Sequence, residues 1–320
     1  MFENLKKIDN DENNIRVDRW FKTHYPDLSF VQLQKLLRTG QIRVNSKRVK
    51  LDTRLQAEQK VRLPPMLLGA TSIVSSAKSK DVEFLKNITL YEDDKILILN
   101  KPIGLAVQGG SGITRHIDGM LESLRTKKGV KPRLVHRLDR DTTGVIAIAK
   151  TRLAANFLAK AFKDREVEKK YWALVVGVPR KREDKISTWL VKHTSEQGDI
   201  MKICAHKSSD AMHAISYYKV LETIAQKFSW LEMSPHTGRT HQLRVHAAHI
   251  EHPILGDPKY FYADSNWIFP GGLQNKLHLH AREIILPHPN GSKITISAPL
   301  PPHMVQSFKV LGFDESLYKL

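Results

Sequence analysis

The chain has 320 residues, of which 51 are Lys or Arg and 33 are Asp or Glu, for a formal charge of +18; that length allows about two domains, and a charge surplus of this size is the footprint of a nucleic-acid binder. A single cysteine, Cys204, excludes an intramolecular disulfide and predicts a reducing, cytoplasmic setting. No apolar run reaches the roughly 18 residues of a membrane span, and the acidic N-terminus, with Asp9, Asp11 and Glu12, has neither signal-peptide nor transit-peptide character.

The first predicted unit covers residues 14–63. Val17, Trp20 and Phe21 recur at helical spacing and Pro26 ends that segment. Ser29 caps a second helix with Gln32 at the capping-box position, and Val31, Leu33, Leu36 and Leu37 form its apolar stripe up to Gly40. Residues 41–45 alternate like a strand, and Asn45-Ser46 reads as a hairpin turn before Lys47, Arg48 and Val49. From Arg16 to Leu63 there are 12 Lys or Arg and 4 Asp or Glu, a net +8. Residues 64–80 are rich in Pro, Ser and small side chains without periodicity, which predicts a linker.

Residues 81–320 mix the two kinds of element. Strands are predicted at 95–99, 145–149, 172–176, 215–221, 228–233, 280–286 and 293–297, and a helix at 151–167 with Leu153, Ala154, Phe157, Leu158, Ala161 and Phe162 on its inner side. The absence of regular strand–helix alternation favours α+β over a doubly wound fold.

The most informative stretch is residues 133–144, RLVHRLDRDTTG. It puts Asp139 on a Gly-terminated loop with Arg137 before it and Arg140 after it. A carboxylate among fixed guanidiniums stays ionised, as a nucleophile requires. HRLDRDTTG resembles the signature of the RluA family of pseudouridine synthases, with Thr143 where Ser is usual. Three further segments resemble the same family in the same order: YEDD through NKPIGL with its continuation AVQGGSG (residues 91–112), KKYWA (169–173), and TGRTHQLRVH (237–246), followed by HPILGD (252–257) with Glu251 in place of the usual Gly. The 91–112 segment is most similar to the RluC-type branch. The basic first unit resembles an S4 RNA-binding domain, although Ser46 and Gln59-Lys60 replace that pattern's glycine and Gly-Asp.

The resemblance implies a synthase fold with a mixed, mainly antiparallel central sheet, preceded by the small S4-like module. It implies isomerisation of uridines in large-subunit ribosomal RNA; that reaction gains and loses no atoms and so requires no cofactor or metal, and a monomer is the default expectation. Asp139 is then the catalytic carboxylate, Arg244 its ion-pair partner, and Tyr171 the residue that packs against the target base and serves as general base. A phenol with an ordinary pKa near 10 needs help from its surroundings for that last role. Arg137 is expected to enter the base stack vacated by the flipped nucleotide. Arg140, Arg239, His241 and Gln242 are expected at the substrate, and Arg16, Arg19, Lys35, Arg38, Arg43, Lys47 and Arg48 at RNA through the first unit.

Three rival readings carry separate expectations. His241, His246, His249 and His252 crowd one stretch, as metal ligands would, without a completing cysteine or carboxylate. Asp139-Arg140-Asp141-Thr142-Thr143 also fits the D-x-D-x-T pattern of haloacid-dehalogenase-type phosphotransferases, which need an apolar strand running straight into the first Asp and a Mg²⁺-binding acid later in the chain. An RNA-binding assembly factor with an inactive synthase domain is the non-enzymatic alternative, and the presence of Asp139, Tyr171 and Arg244 together speaks against it.

Overall fold

The computed structural model describes residues 4–9, 12–25, 28–67, 76–110, 112–126, 130–195, 198–206, 209–261 and 267–318. Pro26, the predicted helix stop, and residues 68–75 of the predicted linker lie outside them.

The first unit runs β1 (Leu5–Lys7), β2 (Ile15–Arg16), α1 (Val17–His24), α2 (Phe30–Arg38), β3 (Arg43–Val44), β4 (Arg54–Leu55) and β5 (Lys60–Arg62). Ser29 and Gln32 form a reciprocal capping box on α2, which satisfies two N–H groups that a helix start leaves unpaired. Asn45 and Ser46 take φ of 46° and 66°, the two positive angles of a type I′ turn. Trp20, Phe21, Leu33, Leu36, Leu37, Ile42 and Leu55 close a separate core. That core reaches beyond 14–63, because β1 pairs with β5 and both Ile8 and Leu67 are buried in it. The α2 stripe is narrower than predicted: Val31 is 73% exposed, since three leucines on one face suffice to bury the helix.

The second unit runs α3 (Ser76–Asn87), β6 (Thr89–Glu92), β7 (Ile96–Lys101), α4 (Ile117–Met120), β8 (Arg133–Leu134), β9 (Thr143–Ala149), α5 (Arg152–Lys163), β10 (Glu168–Val176), β11 (Glu183–Ser195), β12 (Gly198–Cys204), β13 (Met212–Ile224), β14 (Phe228–Pro235), α6 (Gln242–His249), β15 (Leu279–Pro287), β16 (Lys293–Ser297) and α7 (Pro302–Leu311). Helix α3 therefore begins inside the stretch predicted as linker. Its eleven strands form one sheet in the order β12-β11-β13-β14-β10-β15-β9-β7-β6, with β16 beside β15 and β8 beside β9. Among the described residues every pairing between these strands is antiparallel except β9 with β15.

Successive strand residues face opposite sides of the sheet, as a period of two requires. Leu97, Leu99, Ile146, Ile148, Tyr171 and Ala173 face one core, shared with residues of α4 and α6. Ile96, Ile98, Val145 and Ala147 face another with Leu158 of α5, and Trp172 and Leu174 face a third with Met304 and Phe308 of α7. On α5 only Ala154, Leu158 and Ala161 are buried, whereas Leu153 is 65% and Phe157 40% exposed. The predicted inner stripe was too wide because the single row of Ala154, Leu158 and Ala161 already packs on the sheet.

The loop carrying Asp139 ends where β9 meets β15. Gly144 sits there with φ +105°, and a Cβ would lie 2.2 Å from the Ala281 carbonyl oxygen. The close parallel approach thus requires glycine. Tyr171 pairs with Ala281 on the next strand, at a bulge between Lys170 and Tyr171. The chain's most informative loop therefore opens at the centre of the sheet, under α6.

Candidate active site

A cleft of about 1180 Å³ opens over this junction, and Arg137, Asp139, Arg140, Tyr171, Arg239, His241, Gln242 and Arg244 all line it. Convergence from three separate sequence motifs does not make their roles equal.

Asp139 is the least satisfied carboxylate of the cleft. Its side chain is 25% exposed, with the Arg244 guanidinium at 3.6 Å and His241 Nε2 at 4.0 Å, both beyond hydrogen-bond reach. The other lining carboxylate, Asp199, is bound to Lys192 at 2.6 Å and accepts from Thr194 at 3.0 Å. The arginines expected to flank Asp139 turn elsewhere. Arg140 pairs with Asp141 at 3.2 Å, and Arg137 donates to Gln108 at 3.4 Å. Arg137 remains exposed at the cleft.

Arg244 is 3% exposed and makes its two short bonds to Asp257, at 2.8 and 2.7 Å. The expected pair with Asp139 is thus the looser half of a three-member network, and Asp257, 3% exposed, is the anchor. A bidentate carboxylate fixes both the position and the plane of a guanidinium, so one face of Arg244 is aimed at Asp139. Asp257 lies within a segment read from the sequence, but its role was not.

Lys101 was also overlooked. It has no exposed surface, and its ammonium donates to the carbonyls of Pro102, Leu105 and Arg140 at 3.0, 2.9 and 2.7 Å. It ties the glycine-rich loop after β7 to the backbone beside Asp139. Burial lowers its pKa to about 7, against the pull of Asp141 and Asp139. A buried amine on three carbonyls is a loop clamp. Thr142, in the same loop, lines the cleft with a buried hydroxyl that has no partner among the described residues.

Tyr171 is 9% exposed, and burial, followed by Asp139, raises its pKa above the ordinary phenol range. The surroundings therefore oppose the general-base role in the free enzyme. A neutral phenol ring flanking Asp139 remains suited to packing against a base.

Gln242 is corrected from substrate contact to brace. It is 4% exposed; its amide donates to Ile215 O and Ser216 Oγ, and its carbonyl accepts from Thr237 Oγ1 and Arg239 N. All four of its hydrogen-bonding positions are used, joining α6 to β13. Arg239 is exposed, with Nε donating to His213 O at 3.1 Å. His136 stacks on Phe162 at 4.6 Å and accepts from Ala147 N; burial and Lys169 lower its pKa to about 3, so it supports the loop as a neutral ring.

His246 and His252 of the histidine cluster have separate partners. His246 is held by Ser216 and Thr188 hydroxyls, each at 2.9 Å, while His252 meets Val176 O. In the phosphotransferase reading a strand should run into Asp139, but β8 stops at Leu134.

Of the residues expected at RNA in the first unit, Arg16, Arg19, Lys35, Arg38, Lys47 and Arg48 are exposed. Arg16 is bound to Asp18 at 2.8 Å. Arg43 is half-buried and spans the Gly40 and Ser46 carbonyls, so it braces the loop.

Residues 95–249 match the family described as RNA pseudouridylate synthase. The ribosomal large subunit pseudouridine synthase C of Buchnera aphidicola subsp. Schizaphis graminum is 37% identical over 298 residues, covering 92% of each chain. The protein of the same name from Escherichia coli K12 is 36% identical and covers 91% of each. RNA pseudouridine synthase 4, mitochondrial, of Arabidopsis thaliana is 33% identical over 95% of this chain and 81% of its own. Among solved structures, human RNA pseudouridylate synthase domain containing 4 superposes with a TM-score of 0.60 at 30% identity, covering 74% of this chain and 97% of that one. Catalytic-loop motif, sheet and relatives agree: the chain belongs to the RluA family of RNA pseudouridine synthases, in its RluC-type branch.

Proposed function

We propose that this enzyme converts specific uridines of large-subunit ribosomal RNA to pseudouridine, as a cytoplasmic monomer, by an Asp139-dependent route without cofactor or metal. Two relatives are named for the large ribosomal subunit, and no helix among the described residues is long and apolar enough to cross a membrane. The reaction breaks the N1–C1′ bond, turns the uracil and joins C5 to C1′. Nothing is gained or lost overall, because the proton leaving C5 is matched by one taken up at N1.

The observation that carries this reading is Asp139 itself, an open carboxylate backed by a fixed guanidinium on the floor of a large cleft. It acts at C1′, as nucleophile or as stabiliser of ribosyl charge. Arg244, oriented by Asp257, faces it with a fixed guanidinium at 3.6 Å and aims it. Tyr171 flanks the detached base as a neutral wall. Arg137, exposed at the cleft and lightly tethered, takes the place of the flipped uridine, whose extrusion costs a few kcal/mol.

RNA outside the cleft is held by charge. Arg43, Arg48 and Arg62 converge on Gly40: Arg62 donates to its carbonyl at 3.0 Å, and Arg48 Nε would lie 3.2 Å from a Cβ there. Among the described residues none of the three has a carboxylate partner, so together they suit a phosphate. We therefore assign the first unit to RNA binding, as an S4-like module.

The test is Asp139→Asn, which keeps shape and removes charge. It should bind ribosomal RNA transcripts as tightly as the wild type, since phosphate contacts dominate affinity, and should form no detectable pseudouridine in EDTA-treated buffer where the wild type does. A normally active variant sinks the assignment. Pseudouridine maps of ribosomal RNA from cells with and without the gene identify the target.

A further inference from the structure

His241 stands between Asp139 and a residue with no part in the sequence motifs, Tyr260. The Tyr260 hydroxyl accepts the Met201 backbone N–H at 2.8 Å and lies 2.8 Å from His241 Nδ1. Tyr260 is 5% exposed, and among the described residues His241 Nδ1 is the only acceptor within reach of its single proton. Burial pushes the phenol's pKa up to about 12, so that proton stays in place. Nδ1 is therefore occupied as an acceptor, and a neutral imidazole has one remaining place for its own proton.

We propose that Tyr260 is a positioning residue for the isomerisation: it holds His241 as the Nε2–H tautomer, so that an uncharged N–H donor faces Asp139. The proposal rests on Asp139 being the catalytic carboxylate. Burial, ahead of the opposing pull of Asp139, lowers the pKa of His241, which keeps the ring neutral at pH 7. Its Nε2 is 4.0 Å from Asp139 Oδ1, so an approach of about 1 Å completes a hydrogen bond.

The backbone supports a placed ring. His241 has φ +52°, left-handed, at the start of α6. A non-glycine side chain in that conformation is strained and persists where surrounding contacts impose it. The anchors are shared with the cationic side of the site. Asp257 Oδ1 accepts from the backbone N–H groups of Lys259 and Tyr260 at 2.8 and 3.1 Å and from Arg244 at 2.7 Å, while the Arg244 guanidinium sits 5.1 Å from the Tyr260 ring centre. One buried carboxylate thus sets both donors that approach Asp139, one charged and one neutral. A neutral second donor has a chemical use. Two full cations would over-stabilise the ground-state carboxylate, whose charge must be shared with C1′ during reaction, and only interactions that strengthen toward the transition state accelerate it.

The direct test is the imidazole ¹⁵N spectrum of the full-length protein without RNA, with His241 assigned by its loss in His241→Gln. The wild type should show Nε2 protonated and Nδ1 bare. Tyr260→Phe keeps the ring's packing against Leu190, Met201 and Val245 and removes only the hydroxyl. Its His241 signal should shift toward the Nδ1–H form, with kcat lowered about 10- to 100-fold and KM unchanged. A purely structural hydroxyl would change melting temperature and leave the tautomer alone. Nδ1–H in the wild type, or wild-type kcat in Tyr260→Phe, overturns the proposal, and the wild-type spectrum decides even if the variant fails to fold. Because the tautomer is read without substrate, an active Asp139→Asn would sink the catalytic reading independently of it.

Discussion

Each unit of the molecule buries an ionic cluster, and the two are built to different ends. In the first unit Glu12, 5% exposed, accepts from His24 at 2.5 Å, from Trp20 Nε1 at 3.0 Å and from Asp9 N at 3.2 Å, while Lys6 approaches the other nitrogen of His24 at 2.8 Å. Every member has its partner inside the cluster. In the second unit Asp257 is equally saturated, but the network ends at Asp139, which is left with an arginine at 3.6 Å and a histidine at 4.0 Å. A buried polar group without partners costs free energy, so full satisfaction is what a structural cluster selects. On the function proposed above, the open end is the place where substrate completes the network.

Asp257→Asn is the harshest way to break that comparison. Asparagine's NH₂ would face the guanidinium, leaving a buried arginine without its carboxylate. Removing one member of such a pair typically costs about 3–5 kcal/mol, and the loss of aim at Asp139 should lower kcat about 10²- to 10³-fold. Denaturant melts and single-turnover kinetics measure the two effects. If stability fell with kcat intact, Asp257 would be an anchor only, like Glu12.

Glu12→Gln is the converse substitution. It should destabilise the first unit by about 3 kcal/mol and leave kcat at saturating RNA unchanged. Hydrogen exchange should quicken at amides of α1 and β5 and stay constant in β10 and β15. Equal acceleration in both units would mean that they unfold together.

The two clusters were unequally legible in the sequence. Asp139 and Arg244 stand in strings whose residue order is itself distinctive, and β14 and β16 follow from apolar alternation bounded by turns. Asp257 and Tyr260 act through a buried network assembled from α6, the turn after it and β12, and no local pattern encodes such a meeting. The hairpin of β11 and β12 was missed because its signal, Ile186, Thr188 and Leu190 buried at every second position, is diluted by polar and charged neighbours. Gln242 was misassigned for a related reason: a polar residue inside a motif reads as a substrate contact until its four partners are seen. On α2 and α5 the exposed Val31, Leu153 and Phe157 widened the apparent stripe, because residue type alone does not fix which helix face packs.

Acid separates the clusters by a smaller margin. Burial opposes ionisation of Glu12, but hydrogen bonds from His24 and Trp20 outweigh it and hold its pKa below the unfolded value of 4.5. A depressed folded pKa contributes stability that is present above the unfolded value and is lost as pH falls through the folded one. Exchange protection of α1 should therefore decline below about pH 4.5, and this component should vanish in Glu12→Gln. A pH-independent α1 would remove Glu12 from the account.

The mildest test lies beside Asp139. Among the described residues Asp141 pairs only with Arg140, whose side chain is 66% exposed, and an exposed pair contributes about 0–1 kcal/mol. Asp141→Asn should therefore leave folding intact and lower kcat by less than about 10-fold at pH 7. Its effect should nevertheless depend on pH, because Asp141 is the largest influence raising the pKa of Lys101 against burial. Without that carboxylate the clamp on the Pro102, Leu105 and Arg140 carbonyls loses its charge at lower pH. The wild-type amine, with a pKa of about 7, is charged at pH 5.5 and half charged at pH 7, so the deficit should be smallest at the acid end, where protonation is most complete in both proteins, and widen toward pH 7. Profiles of kcat for the two proteins, measured side by side with Asp139→Asn as the inactive reference, distinguish the outcomes. A deficit constant with pH would detach Asp141 from the clamp, and an inactive Asp141→Asn would move the catalytic role two residues along the loop.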